Sequence, residues 1–111
     1  LEEWENYNKS FIALAAIEWK ILISAHEKIK QSLNSDSLLE IKYEDLCSRP
    51  SNILKETIDF CELDWSKKID KKLKRVNLNS ANDKYKSDLT KVQIEILENI
   101  LHKYLIKYDY K

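Results

Sequence analysis

The sequence predicts a mainly α-helical chain, and three observations carry that expectation. Across 111 residues there is no glycine and a single proline, Pro50, so the two residues that most disfavour helix interiors are nearly absent. Where apolar residues recur, they mostly follow the 3.6-residue period of a helix rather than the two-residue period of a strand. The chain is 43% hydrophobic, which argues against disorder, and 34% charged with many Lys and Glu, which suits solvated helix faces. This length is one domain's worth of polypeptide, so residues 1–111 are read as a single domain or part of one.

In residues 2–33 the apolar positions Trp4, Tyr7, Phe11, Leu14, Ala15, Trp19, Leu22, Ile23 and Ile29 keep a helical rhythm, predicting one long helix or two with a bend. Its middle is apolar nearly all round, because Phe11, Ile12, Leu14, Ile17, Trp19, Ile21, Leu22 and Ile23 cannot share one stripe. Such a helix wants neighbours on more than one side. Asn34-Ser35-Asp36-Ser37 gathers residues that tolerate left-handed backbone and bond their own main chain, and so predicts a helix stop. Residues 38–43, Leu-Leu-Glu-Ile-Lys-Tyr, are the one candidate extended segment. A lone strand has unpaired ladder groups, so this segment must join a sheet from elsewhere or persist as an extended piece.

Pro50 suits a first helical position, and Ile53, Leu54, Thr57, Ile58 and Cys61 follow at helical spacing, predicting a helix over 49–61. Ser66 is a cap for a short helix through Lys74. Residues 77–83 carry turn chemistry at almost every position and read as a loop. Thr90 and Gln93 form a capping-box pattern opening a final helix to about 107.

Lys plus Arg balance Asp plus Glu at 19 each, so there is no overall basic field to hold a nucleic acid backbone. The lysine run from Lys67 to Arg75 reads as a solvated face. The most apolar stretch, 11–25, is interrupted by Glu18, Lys20 and Ser24 and is too short and too charged to span a bilayer. Cys47 and Cys61 lack CxxC spacing or clustered histidines, so neither a zinc site nor a disulfide framework is indicated, and two free thiols make the cytoplasm the default location. His26 and His102 read as packed or surface residues and assign no triad. Glu44-Asp45 reads as a structural carboxylate pair at a turn.

One ordered set of motifs resembles a known family. Ile41-Lys42-Tyr43-Glu44-Asp45-Leu46, then Arg49-Pro50, then Ile58-Asp59-Phe60-Cys61-Glu62-Leu63 are similar to the C-terminal part of the sulfotransferases. There a strand ends in Arg-Tyr-Glu-Asp-Leu, a proline opens a helix, and the helix closes in a Phe-Leu-Gly-Leu type turn. Lys84-Tyr85-Lys86, Leu89-Thr90 and the last helix look like that family's Lys-Trp-Arg stretch and closing helix, so the resemblance spans most of the chain. Lys42 stands in place of Arg, Cys61-Glu62 in place of Leu-Gly, and Tyr85 in place of Trp.

The resemblance implies a helical fragment of an α/β, P-loop-like sulfotransferase fold. It also implies 3′-phosphoadenosine 5′-phosphosulfate as sulfuryl donor, with no metal. Tyr43 takes the position near the donor's adenine, and Arg75, Lys84 and Lys86 are the cations placed to substitute at its 3′-phosphate. The family's closing loop would fall at Leu78-Asn79-Ser80-Ala81-Asn82-Asp83, which carries neither the basic pair nor the glycines found there. The donor loop, the base and the catalytic lysine belong to the family's N-terminal half, so tight donor binding and activity are not expected of this chain alone. The expected partner is that missing half, or a second copy covering the apolar face from Phe11 to Ile23. The alternative expectation is an all-helical interaction or oligomerisation module without enzymatic activity.

Overall fold

Ser10 opens the dominant element. In the computed structural model, which describes residues 2–111, its hydroxyl accepts from the Ala13 N–H and starts α2, Phe11–Ser32. A short α1, Glu2–Glu5, precedes it. The two are separated by left-handed backbone at Asn8 and Lys9, with φ of 52° and 54°. The second of the two expected arrangements, two helices with a bend, is therefore the one formed. Trp4 Nε1 donates to Ser10 O at 2.8 Å, and the Lys20 ammonium pairs with Glu3, which folds α1 back onto α2.

The last helix begins where its capping box predicts. Gln93 N–H donates to Thr90 Oγ1 at 3.3 Å and Thr90 N–H to Gln93 Oε1 at 2.9 Å, opening Lys91–Lys107. This helix packs against α2 around Ala13, Ala16 and Ile100, with Trp4, Tyr7, Ile17, Ile96, Leu97 and Leu101 partly buried around them. The sequence reading left the buried face of this helix open, and Phe11, Leu14, Trp19, Leu22 and Ile29 prove to be exposed, Phe11 by 86%. Because α2 is apolar nearly all round, periodicity cannot choose its buried side. Ala13 and Ala16 do, since small side chains let a second helix approach closely.

Two polar ties fix that pairing. The Ser24 and Tyr104 hydroxyls are hydrogen-bonded, and Tyr104 meets Trp19 edge-to-face with ring centroids 5.8 Å apart. One turn further along α2, the Glu27 carboxylate accepts from the Lys107 ammonium and from the Tyr108 hydroxyl, the latter at 2.7 Å. Those two hydrogen bonds hold the Glu27 carboxyl below the ordinary carboxylate range, with the Lys107 and Lys103 charges adding to them and desolvation opposing them. A pKa depressed in the folded state stabilises fully above the unfolded value and is lost as pH falls through the folded one. Thermal melts of the parent and of Glu27→Gln are therefore expected to differ at neutral pH and to converge below the ordinary carboxylate range. A pH-independent difference would assign the effect to packing instead.

Residues 34–83 form a second unit. The expected stop after α2 occurs, but by another route. Leu33 closes the helix in extended backbone, its N–H donating to Ile29 O, and Ser35–Ser37 is a 3-10 turn with Asn34 extended rather than left-handed. Leu38 and Lys42 keep extended dihedrals, yet no strand forms among the described residues. Tyr43, expected to end the extended segment, instead begins a helix, α3, Tyr43–Ser48. The physical reason is twofold. A single extended segment has no edge to pair with, and Glu44 and Asp45 lie at the positive end of a helix dipole, where carboxylates are favoured.

Next, α4 spans Pro50–Phe60 with Pro50 at its start and Ile53 as its buried anchor. Ser66 then caps α5, Lys67–Leu73, its Oγ accepting from Ile69 N–H at 3.4 Å. In the first unit, a helix the sequence did not announce, Lys84–Asp88, immediately precedes the last one. Numbered in chain order it is α6, and Lys91–Lys107 is α7. Among the described residues no helix is long and apolar enough to cross a membrane.

Candidate functional site

Tyr43 is the site residue about which the structure says most. Helix α3 starts at it, and the residue is 46% exposed while its hydroxyl accepts from the Ala81 N–H at 3.3 Å. The neighbouring Glu44 accepts from Asn82 Nδ2 at 2.7 Å, and Asn82 N–H is in turn held by Ser80 Oγ at 3.3 Å. Loop residues 80–82 are thereby fastened onto the first turn of α3. The Tyr43 hydroxyl is thus held by a backbone donor, while the residue as a whole stays partly exposed.

Asp45 works structurally, as expected for the carboxylate pair: its Oδ1 lies 3.2 Å from Arg49 Nη2, one helical turn on. Arg49 is both the last cap of α3 and the first of α4, so this pair lies at the corner between the two helices. At the far end of α4, Leu63 N–H donates to Ile58 O and Glu62 N–H to Asp59 O, each at 3.0 Å. This pair of bonds is the Schellman closure, and it requires left-handed backbone at the residue between them. Glu62 supplies it with a φ of 57°. Helix α7 closes in the same way at Asp109, φ 61°.

A residue with a Cβ pays for left-handed backbone, by roughly 1–2 kcal/mol. Glu62→Gly is therefore expected to raise the stability of the 34–83 unit by roughly 1 kcal/mol, less the extra flexibility glycine gives the unfolded chain. A denaturant midpoint shifted upward with unchanged slope checks it. An unchanged or lower midpoint would mean that strain at the turn is no larger than the cost of the flexibility glycine adds to the unfolded chain.

No family model, curated protein or solved structure matches this chain.

The cations assigned alongside Tyr43 sit on different elements. Arg75 belongs to the same unit as Tyr43 and follows α5 on an exposed turn, its N–H donating to Lys72 O at 3.1 Å. Lys84 and Lys86 belong to α6 in the first unit. Two residues apart on a helix, they point in different directions. Lys84 lies 4.0 Å from Asp88, and Lys86 stands 5.9 Å from the centroid of the Tyr85 ring. Neither pair is buried.

Elsewhere in the 34–83 unit, the Lys55 ammonium covers the Trp65 ring at 5.2 Å, and Trp65 Nε1 is buried without a hydrogen-bond partner among the described residues. Both cysteines are free, Cys47 half-buried on α3 and Cys61 exposed at the end of α4. No group of three or more His, Cys, Asp or Glu suited to a metal ion occurs among the described residues. A shallow groove of about 370 Å³ on the α2–α7 seam is lined by Lys20, Ile21, Ser24, Ala25, Lys28 and Tyr104, none of them a residue the sequence assigned to the donor. Sequence reasoning missed Ala81 and Asn82 as partners of Tyr43 and Glu44. The one local signal was the turn chemistry of 77–83.

Proposed function

We propose that this chain is the C-terminal, mostly helical part of a sulfotransferase, which would transfer a sulfuryl group from 3′-phosphoadenosine 5′-phosphosulfate to a hydroxyl or amine acceptor. The observation that carries the reading is the backbone at Glu62. The resemblance gives a glycine to this position, in a Phe-Leu-Gly-Leu type turn, and Glu62 adopts the left-handed conformation that glycine favours. Left-handed closure is common at helix ends, Asp109 included, so the support lies in its register, which falls on the glycine of the Phe-Leu-Gly-Leu type turn. The hydrogen bonds from 81–82 to Tyr43 and Glu44 also support the reading, because they bring the region of the family's closing loop to the tyrosine assigned to the adenine.

In this reading Tyr43 offers a ring for the adenine, and Arg75, Lys84 and Lys86 are the available cations for the 3′-phosphate. Sulfuryl transfer further needs a base to take the acceptor proton and donors that stabilise charge on the sulfuryl oxygens. Both belong to an N-terminal half, which would also cover apolar side chains that this chain exposes. By itself the chain is expected to bind the desulfated donor, 3′-phosphoadenosine 5′-phosphate, weakly and to transfer nothing. Calorimetric titration of the parent and of Tyr43→Ala tests the adenine assignment: weak binding lost in the variant supports it, and tight binding would contradict an incomplete site. The coding sequence upstream tests the family reading itself. A strand leading into a short glycine-containing turn and a helix is expected there, and a different architecture would sink it.

A second reading, an interaction or oligomerisation module without enzymatic activity, is favoured by a different observation. Phe11, Ile21, Leu22 and Ile29 of α2 are each more than half exposed, an apolar surface suited to a partner or to a second copy. Sedimentation equilibrium over a range of concentrations checks the second-copy form, which a strict monomer would eliminate.

A further inference from the structure

Residues 67–75 hold six of the chain's 19 basic residues and only one of its 19 acidic ones. Overall neutrality therefore conceals a local concentration of charge. On α5, at about 100° per residue, Lys67, Lys68, Lys71 and Lys72 fall within a face of about 140°. Ile69 and Leu73 lie on the opposite side and are half-buried, while the four lysines, Lys74 and Arg75 are exposed. None of these six cations makes an ion pair with a described residue. A solvated face needs no such concentration, and mutual repulsion opposes it.

The side chains flanking the patch point to the kind of partner. Leu63 before α5 and Val76 after it are exposed, by 62% and 47%. Five of the six cations are lysines, point charges without the fork that reads phosphates or bases in pairs. The aromatic residue nearest in sequence, Trp65, has its ring covered by Lys55 at 5.2 Å rather than open for stacking on a base. Clustered lysines with aliphatic side chains at both ends suit a surface that is anionic outside and apolar just beneath. We propose that the lysine face of α5 docks this protein peripherally on an anionic phospholipid surface, with Leu63 and Val76 entering the headgroup layer. The proposal is independent of the sulfotransferase reading.

Cosedimentation of the full chain with phosphatidylcholine vesicles, with and without phosphatidylserine, tests it. Binding is expected only with phosphatidylserine and is expected to weaken as salt rises. Each Lys→Gln change should lower the partition coefficient roughly fivefold. The combined Lys67→Gln, Lys68→Gln, Lys71→Gln, Lys72→Gln variant should lose roughly two to three orders of magnitude, whereas the corresponding Lys→Arg variant retains binding. Val76→Ser should lower partitioning several-fold without changing its salt dependence. Equal binding to both vesicle types, or a glutamine variant that folds and still binds, overturns the proposal. So does binding to double-stranded DNA as tight as to phosphatidylserine vesicles, which would assign the patch to a nucleic acid.

Discussion

Ile100→Ala is expected to cost about 3 kcal/mol, the largest loss from any single truncation in the α2–α7 pair. Ile100 is 7% exposed and is the one large side chain that joins Ala13 and Ala16 at the centre of that contact. Removing it leaves a cavity against two alanines that have no atoms with which to fill it. Among the described residues only Ala13, Ala16, Ile53 and Ile100 are buried, so this unit has little reserve against the loss. For a unit of this size the melting temperature should fall on the order of 10–20 °C, read by circular dichroism at the helical minimum. Ile106→Ala on the exposed side of α7 is the control and should stay within about 0.5 kcal/mol. Equal effects at the two positions would mean that α7 does not pack through the Ile100 face.

Enlarging an alanine tests the same contact from the other side. Ala13 is fully buried, at 0% exposure, and α7 can approach α2 closely only because that side chain is small. Ala13→Leu adds apolar surface yet is expected to destabilise by about 2 kcal/mol, because the helices must separate or the new side chain must leave its preferred rotamer. Ala15→Leu, on an exposed part of the same helix, should be close to neutral. Denaturant unfolding of the two variants gives the comparison. A stabilising Ala13→Leu would show that the space between the helices is loosely filled.

The helix starts were legible because their signals are local. Thr90 and Gln93, Ser66 and Pro50 act within one turn of their own positions, and each opens the helix that its side chain or ring favours. The segment 38–43 was legible only in part. Its β-branched and aromatic character described an extended backbone, but whether such a segment becomes a strand depends on an edge to pair with. Without one, the acidic first turn converted Tyr43 into the start of α3. Helix α6 was missed because its five residues, Lys84–Asp88, bury none of their side chains and so leave no periodic trace.

Of the candidate site, Tyr43 was visible through motif resemblance, while its partner was not. Ala81 lies 38 residues away, and its backbone N–H carries no signature of what it will meet. Glu62 is the reverse case. A glutamate gives no local sign of left-handed backbone, yet the Schellman closure of α4 places it there.

The sequence by itself determined that the chain would be helical and where α4, α5 and α7 begin, since capping and propensity are short-range properties of neighbouring residues. Only the tertiary structure decided which side of α2 is buried. Apolar periodicity around most of that helix left several faces nearly equivalent, and the choice fell to Ala13 and Ala16, where close approach of α7 is sterically allowed.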